Sequence, residues 1–373
     1  MKKFIVSLAF IISGLFVADR IGGIGMNWVY EHTNDVLSPK LRYIRQDIHE
    51  DVVLMGASRC HHHYLPSILS KTLGMSVYNA GVGGSNNIFS HYMVLCHILA
   101  RYTPKIICLE VMPTDYCQQT DTYNALSFFA PLFGYNQAAD SVYQLAETYY
   151  QYHISHLYRY NAKVSSNLLG LVLNRQVGND NGYIPLPKPN PFPKKLATEE
   201  TKNDIDSLKI RYIQRFADLC HERRIKLIFT VSPKYTIVDS AHYHILKDIA
   251  KKNGIPFLDY HTCRLYHDHP DYFKDSSHLW DKGARIFSQT FANDLKDTIE
   301  QNRPRNPKNS LQRDFLCLVL CGLKKNLYLC RRKYDDHEQG TKVQIPNSQM
   351  RTDRKLVPVT MVILTFMNTS LAT

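Results

Sequence analysis

Residues 51–59 read DVVLMGASR, and this stretch decides the fold class. A continuous apolar run that ends in small residues is typical of a strand buried on both faces, as in a parallel sheet. The polar pair Ser58-Arg59 follows at the point where such a strand would break into a helix. The stretch therefore predicts the first strand of an α/β domain, with a serine at its carboxyl end.

The same pattern recurs along the chain. Further short apolar strands are predicted at residues 76–80, 105–112, 226–231 and 256–259. Helices are predicted at residues 65–73, 86–101, 201–224, 241–253 and 282–301. Strands that alternate with helices imply a parallel sheet with right-handed crossovers. We therefore predict an α/β three-layer sandwich whose five-stranded parallel sheet has the flavodoxin-like order, with an active site at the carboxyl ends of the strands.

The predicted domain covers residues 45–300, and an insertion at residues 116–200 interrupts it between the third and fourth strands. The centre of the insertion, residues 140–175, carries tyrosines and aliphatic residues at helical spacing. Helices that pack on the domain as a cap would show this pattern, and so would a tyrosine-lined platform for sugar rings. We favour the cap, because apolar stripes at this spacing are usually core. The proline-rich residues 185–193 predict an extended connector back to the domain.

The N-terminus has the features of a targeting segment. Lys2 and Lys3 precede an uncharged apolar run at residues 4–18, which Asp19 and Arg20 end. A basic start followed by an apolar run is what the secretion machinery inserts. The run is shorter than the roughly 20 residues that span a bilayer as a helix. We expect residues 1–25 to be an uncleaved signal anchor in the inner membrane. A cleaved signal peptide and a buried segment are the alternatives.

Either kind of signal would place the rest of the chain on the periplasmic or extracytoplasmic side, as a secreted protein if the segment is cleaved. The formal net charge of +12 lies mostly in residues 301–373, which hold 13 Lys and Arg against 5 Asp and Glu. The body of the chain is nearly balanced, which argues against nucleic acid as a partner. The tail from residue 301 mixes charges with short apolar patches, and we expect it to be poorly ordered.

The cysteines and histidines do not form a recognisable metal site. Nine cysteines show no C-x-x-C pair, and an odd number does not suit a disulfide framework. His61, His62 and His63 follow the predicted strand end and suggest a metal site at first sight. Three adjacent residues on a helix point in different directions, however, so we interpret them as a solvated helix terminus. No metal and no cofactor is expected.

Two short motifs carry the candidate chemistry. Gly56-Ala57-Ser58 would expose a serine hydroxyl where a strand turns into a helix. Asp275 and His278 lie three positions apart in one loop before the last helix. A serine hydroxyl needs a base to take its proton, and the imidazole needs a carboxylate on its far nitrogen. A D-x-x-H loop supplies both partners at once.

These motifs, taken together, resemble the SGNH (GDSL-like) hydrolase superfamily over roughly residues 50–300. The shared blocks are a first strand ending in G-x-S, a glycine- and asparagine-rich turn after the second strand, a polar group after the third, and a late D-x-x-H. The resemblance implies that Ser58 is the nucleophile, His278 the base and Asp275 its partner. It also implies a backbone donor to the oxyanion at Gly83 or Gly84. The G-x-S-R form with an N-terminal anchor is similar to cell-envelope members that move or remove acyl groups.

The chain departs from the family pattern in its third block. The family offers an asparagine there as an oxyanion donor, but residues 110–115 read EVMPTD. Arg59, Asn86 and Thr114 are possible substitutes. Loss of one such donor typically lowers turnover about 100- to 1,000-fold.

Two functions remain open at this point. The first is a serine esterase or O-acyltransferase that acts on an acylated cell-envelope glycan or a similar ester. The second is a non-catalytic carbohydrate-binding or envelope-assembly protein on the same fold, which the third block and the tyrosine-rich insertion favour. Fold resemblance cannot separate the two, because function depends on the site.

Overall fold

The computed structural model describes residues 1–85, 87–119, 122–173, 180–191, 204–235 and 243–301. All of them belong to the first of two structural units, Met1–Asn302. Residues 302–373 of the predicted tail at residues 301–373, and the candidate Asn86, lie outside the described residues.

Five strands form one parallel sheet. They are β1 (Val52–Met55), β2 (Val77–Asn79), β3 (Ile106–Glu110), β4 (Lys226–Val231) and β5 (Phe257–Asp259). Their order is β2-β1-β3-β4-β5, and every neighbouring pair is parallel. This is the flavodoxin-like order, so the predicted fold class is confirmed. The order reverses between β1 and β3, and ligands of such sheets bind beyond the carboxyl ends of the strands at that point.

Helices connect and flank the strands. The α-helices are α1 (Lys2–His32), α2 (Ser38–Gln46), α3 (Ser58–His63), α4 (Pro66–Leu73), α5 (Ile88–Leu99), α6 (Gln137–Asp140), α7 (Tyr149–Ile154), α8 (Val164–Leu173), α9 (Ser207–Glu222), α10 (His244–Lys252), α11 (Arg264–His267) and α12 (Asp281–Gln301). Short 3₁₀ segments lie at Pro113–Asp115, Asn124–Leu132, Ser141–Ala146, Tyr158–Tyr160 and Pro270–Tyr272.

Two apolar cores cover the two faces of the sheet. Successive strand residues point to opposite faces, so Val53 and Ile107 pack with α2, α5, α9 and α10. Val52 and Ile106 pack on the other face with α4 and α12. Because both faces are buried, the strands read as unbroken apolar runs rather than as alternating ones.

The insertion folds into short helical pieces that contain α6, α7 and α8. Tyr143, Tyr152 and Tyr160 are buried there, and Phe133 makes edge or tilted ring contacts with two of them. These aromatic residues are therefore core, as in the cap interpretation. Tyr150 on α7 is exposed.

Helix α1 is longer than the apolar run in the sequence. Asp19 and Arg20 lie within the helix, which continues to His32. Arg20 Nη1 lies 2.8 Å from Asp19 Oδ2, and both side chains bond to the insertion. The 31-residue helix is long and apolar enough to cross a membrane, a criterion that signal sequences also satisfy.

Candidate active site

Three side chains from distant parts of the chain meet beyond the carboxyl end of β1. Ser58 Oγ lies 2.8 Å from His278 Nε2. His278 Nδ1 lies 3.0 Å from both carboxylate oxygens of Asp275. A hydroxyl, an imidazole and a carboxylate are thus aligned in the order that activates a serine.

The backbone at Gly56 sets the position of Ser58. Gly56 has φ +148°, and a Cβ there would lie 2.8 Å from Glu110 Cβ and 2.9 Å from Cys60 Cβ. No other residue fits this close approach between β1, β3 and the start of α3. The chain therefore turns sharply from strand to helix, and Ser58 is the first residue of α3.

The Asp275 carboxylate orders its own loop. Its Oδ1 accepts hydrogen bonds from the N–H groups of Ser277 and His278, at 2.8 and 2.9 Å. Burial alone would raise the pKa of Asp275, but the hydrogen bonds from His278 and from the Ser277 N–H lower it to about 2. The carboxylate is therefore ionised at neutral pH and accepts the Nδ1 proton of His278. The Nε2 lone pair then faces Ser58.

His63 supports the same loop from the interior. Its Nε2 lies 2.9 Å from the N–H of Leu279, and its Nδ1 lies 2.8 Å from Ser232 Oγ. Ser232 donates its hydroxyl proton to Glu110 at 2.8 Å, so His63 Nδ1 must be the donor to Ser232 and Nε2 the acceptor from Leu279. Burial lowers the pKa of His63, which fits this neutral tautomer.

Glu110 collects several donors behind Ser58. Arg59 Nη2 lies 3.2 Å from Glu110 Oε1, Tyr64 donates its hydroxyl to Glu110, and the N–H of Ser232 lies 3.1 Å away. Burial raises the pKa of Glu110, although each of these donors acts to lower it. The chain His63–Ser232–Glu110–Arg59, together with Tyr64, is named the buried network below. It links the residue after His278 to the residue after Ser58.

The interpretation of His61–His63 as a solvated helix terminus is wrong. His61 and His63 are buried and His62 is partly buried, because α3 lies under α12, where His63 meets the ring of Phe287. His62 Nδ1 lies 2.7 Å from the carbonyl of Ile184, and burial lowers its pKa to about 4. Among the described residues, no group of three or more His, Cys, Asp or Glu could hold a metal ion.

The two candidate glycines lie in the loop after β2. Gly84 has φ +85°, and a Cβ there would lie 2.8 Å from the ring of Phe128, so the insertion contacts this loop. A Cβ at Gly83 would lie 3.4 Å from His61 Nδ1. Lys40 Nζ donates to the carbonyl of Gly81 at 2.6 Å and fixes the start of the loop. Both glycines stay candidates as backbone donors to an oxyanion.

The structure separates the remaining oxyanion candidates. The guanidinium of Arg59 is buried against Glu110, which leaves only the backbone N–H of Arg59 for an oxyanion. Thr114 follows β3, and its Oγ1 is buried without a hydrogen-bond partner among the described residues. Its carbonyl accepts from Lys209 Nζ at 3.0 Å. Asn86 lies outside the described residues.

Comparison with known proteins gives structural likeness only. No protein-family model matches the chain, and no curated protein matches it. An acetyl xylan esterase structure is 12% identical, with a TM-score of 0.35, over 66% of this chain and 99% of that one. A GDSL-like lipase from Bacteroides thetaiotaomicron is 16% identical, with a TM-score of 0.32, over 68% of this chain and 88% of that one. Values this low carry no argument about activity.

Proposed function

We propose that the protein is a serine esterase or O-acyltransferase in which Ser58, His278 and Asp275 act together. The observation that carries the proposal is the aligned pair of contacts, 2.8 Å from Ser58 Oγ to His278 Nε2 and 3.0 Å from His278 Nδ1 to Asp275. A hydroxyl within hydrogen-bond reach of an oriented imidazole is the geometry that nucleophilic acyl transfer requires.

The proposed reaction has two halves. His278 Nε2 takes the proton of Ser58 Oγ while Oγ attacks the acyl carbonyl carbon of the substrate. The electron pair of the carbonyl double bond moves to the carbonyl oxygen, which becomes the oxyanion. When the tetrahedral species collapses, the bond to the leaving alcohol breaks and His278 gives that alcohol its proton. Water or a second hydroxyl then attacks the acyl-serine and gives its proton to His278. The bond between the acyl carbon and Ser58 Oγ breaks, and His278 returns the proton to Ser58 Oγ. The ionised Asp275 stabilises the imidazolium in both halves.

The backbone of two loops is the proposed source of oxyanion stabilisation. The start of α3 follows β1 and the loop of Gly83 and Gly84 follows β2, so both lie at the carboxyl edge of the sheet, where Ser58 lies. Preorganised donors of this kind are usually the largest contribution to acyl-transfer catalysis. Lys40 supports the second loop from inside the protein through its 2.6 Å bond to Gly81.

The proposed substrate is an acylated glycan or a similar ester of the cell envelope. Residues 1–18 of α1 are exposed and the helix is long enough to cross a membrane, which supports an anchor that would hold the site close to envelope polymers. Within this proposal the catalytic domain covers residues 45–300. The choice between water and a sugar hydroxyl as the final acceptor defines hydrolysis or transfer.

The test is hydrolysis of p-nitrophenyl acetate by the full chain in detergent. We expect release of p-nitrophenol by the native protein and almost none by the Ser58→Ala variant. Ser67→Ala is the matched control, because Ser67 is a surface serine that bonds to Asp180. Equal rates for the native and Ser58→Ala proteins would remove the catalytic proposal.

The second candidate is a carbohydrate-binding or envelope-assembly protein without turnover. The block after β3 supports it, because residues 110–115 place Glu110 in the interior with Arg59 and offer no asparagine amide to an oxyanion. Glycan binding that is the same for native and Ser58→Ala protein, with no ester cleavage by either, would favour this candidate.

A further inference from the structure

The surface where the insertion meets α1 carries exposed apolar residues. Residues 1–18 of α1 are exposed, whereas the second half of the helix is bound to the insertion. Tyr160 donates its hydroxyl to Asn27 at 2.9 Å, and Thr33 donates to the carbonyl of Asn167 at 2.8 Å. The insertion is therefore held against the carboxyl-terminal half of α1.

The contact begins at the two charged residues of α1. The carboxylate of Asp19 accepts from the Ser155 hydroxyl and from the N–H groups of His156 and Leu157, at 2.9 and 3.2 Å for the two N–H groups. Arg20 Nη1 donates to the carbonyl of Ile154 at 2.9 Å and lies 2.8 Å from Asp19. The two charges thus neutralise each other and satisfy the backbone of residues 154–157.

Close packing fixes the level of this loop along the helix. A Cβ at Gly23 would lie 2.5 Å from His156 Cβ, and one at Gly22 would lie 3.4 Å from Leu157 Cδ1. Glycines at these two positions allow the loop to approach the helix backbone. Residues 154–157 therefore lie beside residues 19–23 of α1.

An independent length argument puts the edge of a bilayer at the same level. A hydrocarbon core of about 30 Å needs about 20 residues of helix at roughly 1.5 Å per residue. Counted from Phe4, which follows Lys2 and Lys3, twenty residues end at Gly23. The charged pair at 19–20 then lies just inside this edge, where its mutual bond and its bonds to the loop offset the cost of burial.

The loop exposes apolar side chains at this level. Among the described residues of the insertion, Ile154 is 68% exposed, Tyr150 73%, and Leu157 and Tyr158 41% each. These four residues are named the interfacial patch. A tyrosine with its ring in the apolar layer and its hydroxyl in water is typical of the membrane interface. Ile21 and Ile24 of α1, on either side of Gly22 and Gly23, are exposed as well.

We infer that the interfacial patch rests in the outer interface of the bilayer that α1 crosses, and that it fixes the orientation of the catalytic domain on the membrane. The inference rests on the anchor part of the proposed function and not on the chemistry of Ser58. One helix alone would leave the domain free to tilt, whereas a helix with a docked apolar patch gives two points of attachment. The partner is a lipid surface.

The test uses the full chain in phosphatidylcholine vesicles whose lipids carry bromine at defined depths, which quenches nearby tryptophan fluorescence. Ile154→Trp reports the patch, Phe10→Trp reports the stretch of α1 proposed to cross the bilayer, and Leu265→Trp is an exposed control on α11. Native protein supplies the background of Trp28 and Trp280. We expect the added emission of Ile154→Trp to be quenched most by shallow bromines and that of Phe10→Trp by deep ones, with none for Leu265→Trp.

Each other result overturns the inference in a different way. Quenching of Phe10→Trp without quenching of Ile154→Trp would keep the anchor and reject the patch. No quenching at either position would reject the anchor as well, while the Ser58→Ala assay would still decide the chemistry. A blue shift of Ile154→Trp emission that grows with protein concentration without lipid would assign the patch to a second copy of the chain.

Discussion

Among the described residues, two aspartate carboxylates at or after the end of β5 hydrogen-bond to a histidine Nδ1, and of these two histidines only His278 has a hydroxyl at its far ring nitrogen. Asp275 lies 3.0 Å from His278 Nδ1, and Asp259 lies 2.5 Å from His261 Nδ1. In both carboxyl groups burial would raise the pKa, and hydrogen bonds, first from the paired histidine, lower it to about 2. As carboxylate–imidazole pairs the two are nearly the same.

The far ring nitrogen distinguishes them. His278 Nε2 faces Ser58 Oγ at 2.8 Å, whereas His261 Nε2 is buried against the ring of Tyr243 and has no hydrogen-bond partner among the described residues. Asp259 also pairs with Lys247 at 2.7 Å, so its charge is already balanced. A carboxylate–imidazole pair therefore becomes a candidate for catalysis only when a hydroxyl lies in line with it.

The same substitution in both histidines should have very different effects on activity. We expect His278→Gln to lower kcat/KM for p-nitrophenyl acetate by about 10⁶-fold, because loss of the base removes almost all catalysis by a serine triad. His261→Gln should leave kcat/KM almost unchanged in folded protein. Similar losses in both variants, with both circular dichroism spectra native, would contradict the assignment of the base.

Matched substitutions in the two carboxylates should give the next largest effect. Asp275→Asn is expected to lower kcat about 10⁴-fold, because an amide can leave the imidazole in the wrong tautomer. Asp259→Asn should change kcat little, since its histidine faces no reacting group. The measurement is steady-state hydrolysis with both proteins at the same folded fraction, and a larger loss in Asp259→Asn would exchange the roles of the two pairs.

The buried network predicts a smaller effect on kcat, which acts through the loop of His278. His63→Phe removes the acceptor for the Leu279 N–H and the donor to Ser232, so the His278 loop loses its internal support. We expect kcat to fall about 100-fold with KM almost constant, because misplacement near 1 Å has a cost of that order. Ser232→Ala should give a smaller fall of the same kind. A change in KM alone would assign His63 to substrate binding.

The smallest expected effect is on the free energy of unfolding in acid. It should be larger for Asp259 than for Asp275, because Asp275 is more exposed. A carboxyl group whose folded pKa is lowered contributes stability above its ordinary pKa of 3.8, and this stability is lost as the pH falls toward the folded value of about 2. For Asp259, which is mostly buried, the loss is about 2 kcal/mol at most. The half-exposed Asp275 should lose less because solvent screens it.

Urea unfolding at pH 5 and pH 2.5 measures this difference. We expect the native protein to lose more stability between these pH values than Asp259→Asn does, and about as much as Asp275→Asn does. Identical losses in native and Asp259→Asn protein would show that Asp259 has no lowered pKa.

The sheet could be predicted from the sequence because its information is local. Each strand is a short apolar run, and β4 begins and ends at the residues the pattern predicts, 226 and 231. The D-x-x-H and G-x-S motifs also identified side chains that lie together, with His278 Nε2 2.8 Å from Ser58 Oγ. Their catalytic role stays a prediction.

The remaining features depend on partners far along the chain. His63 looked solvated because its partners, Ser232 and Leu279, are 169 and 216 positions away. The apolar run at residues 4–18 looked too short to span a bilayer because Asp19 ends it, and the residues that bond to Asp19 lie 136 to 138 positions later. No local pattern contains such pairings, so burial of polar residues was the part that sequence analysis missed.

The most direct measurement of the central claim is covalent labelling of the full chain by a fluorophosphonate, followed by mass spectrometry of its peptides. Our account predicts one phosphonyl group on Ser58, labelling of His261→Gln at the native rate, and almost none of His278→Gln. Labelling of a different residue, or equal labelling of both histidine variants, would contradict it.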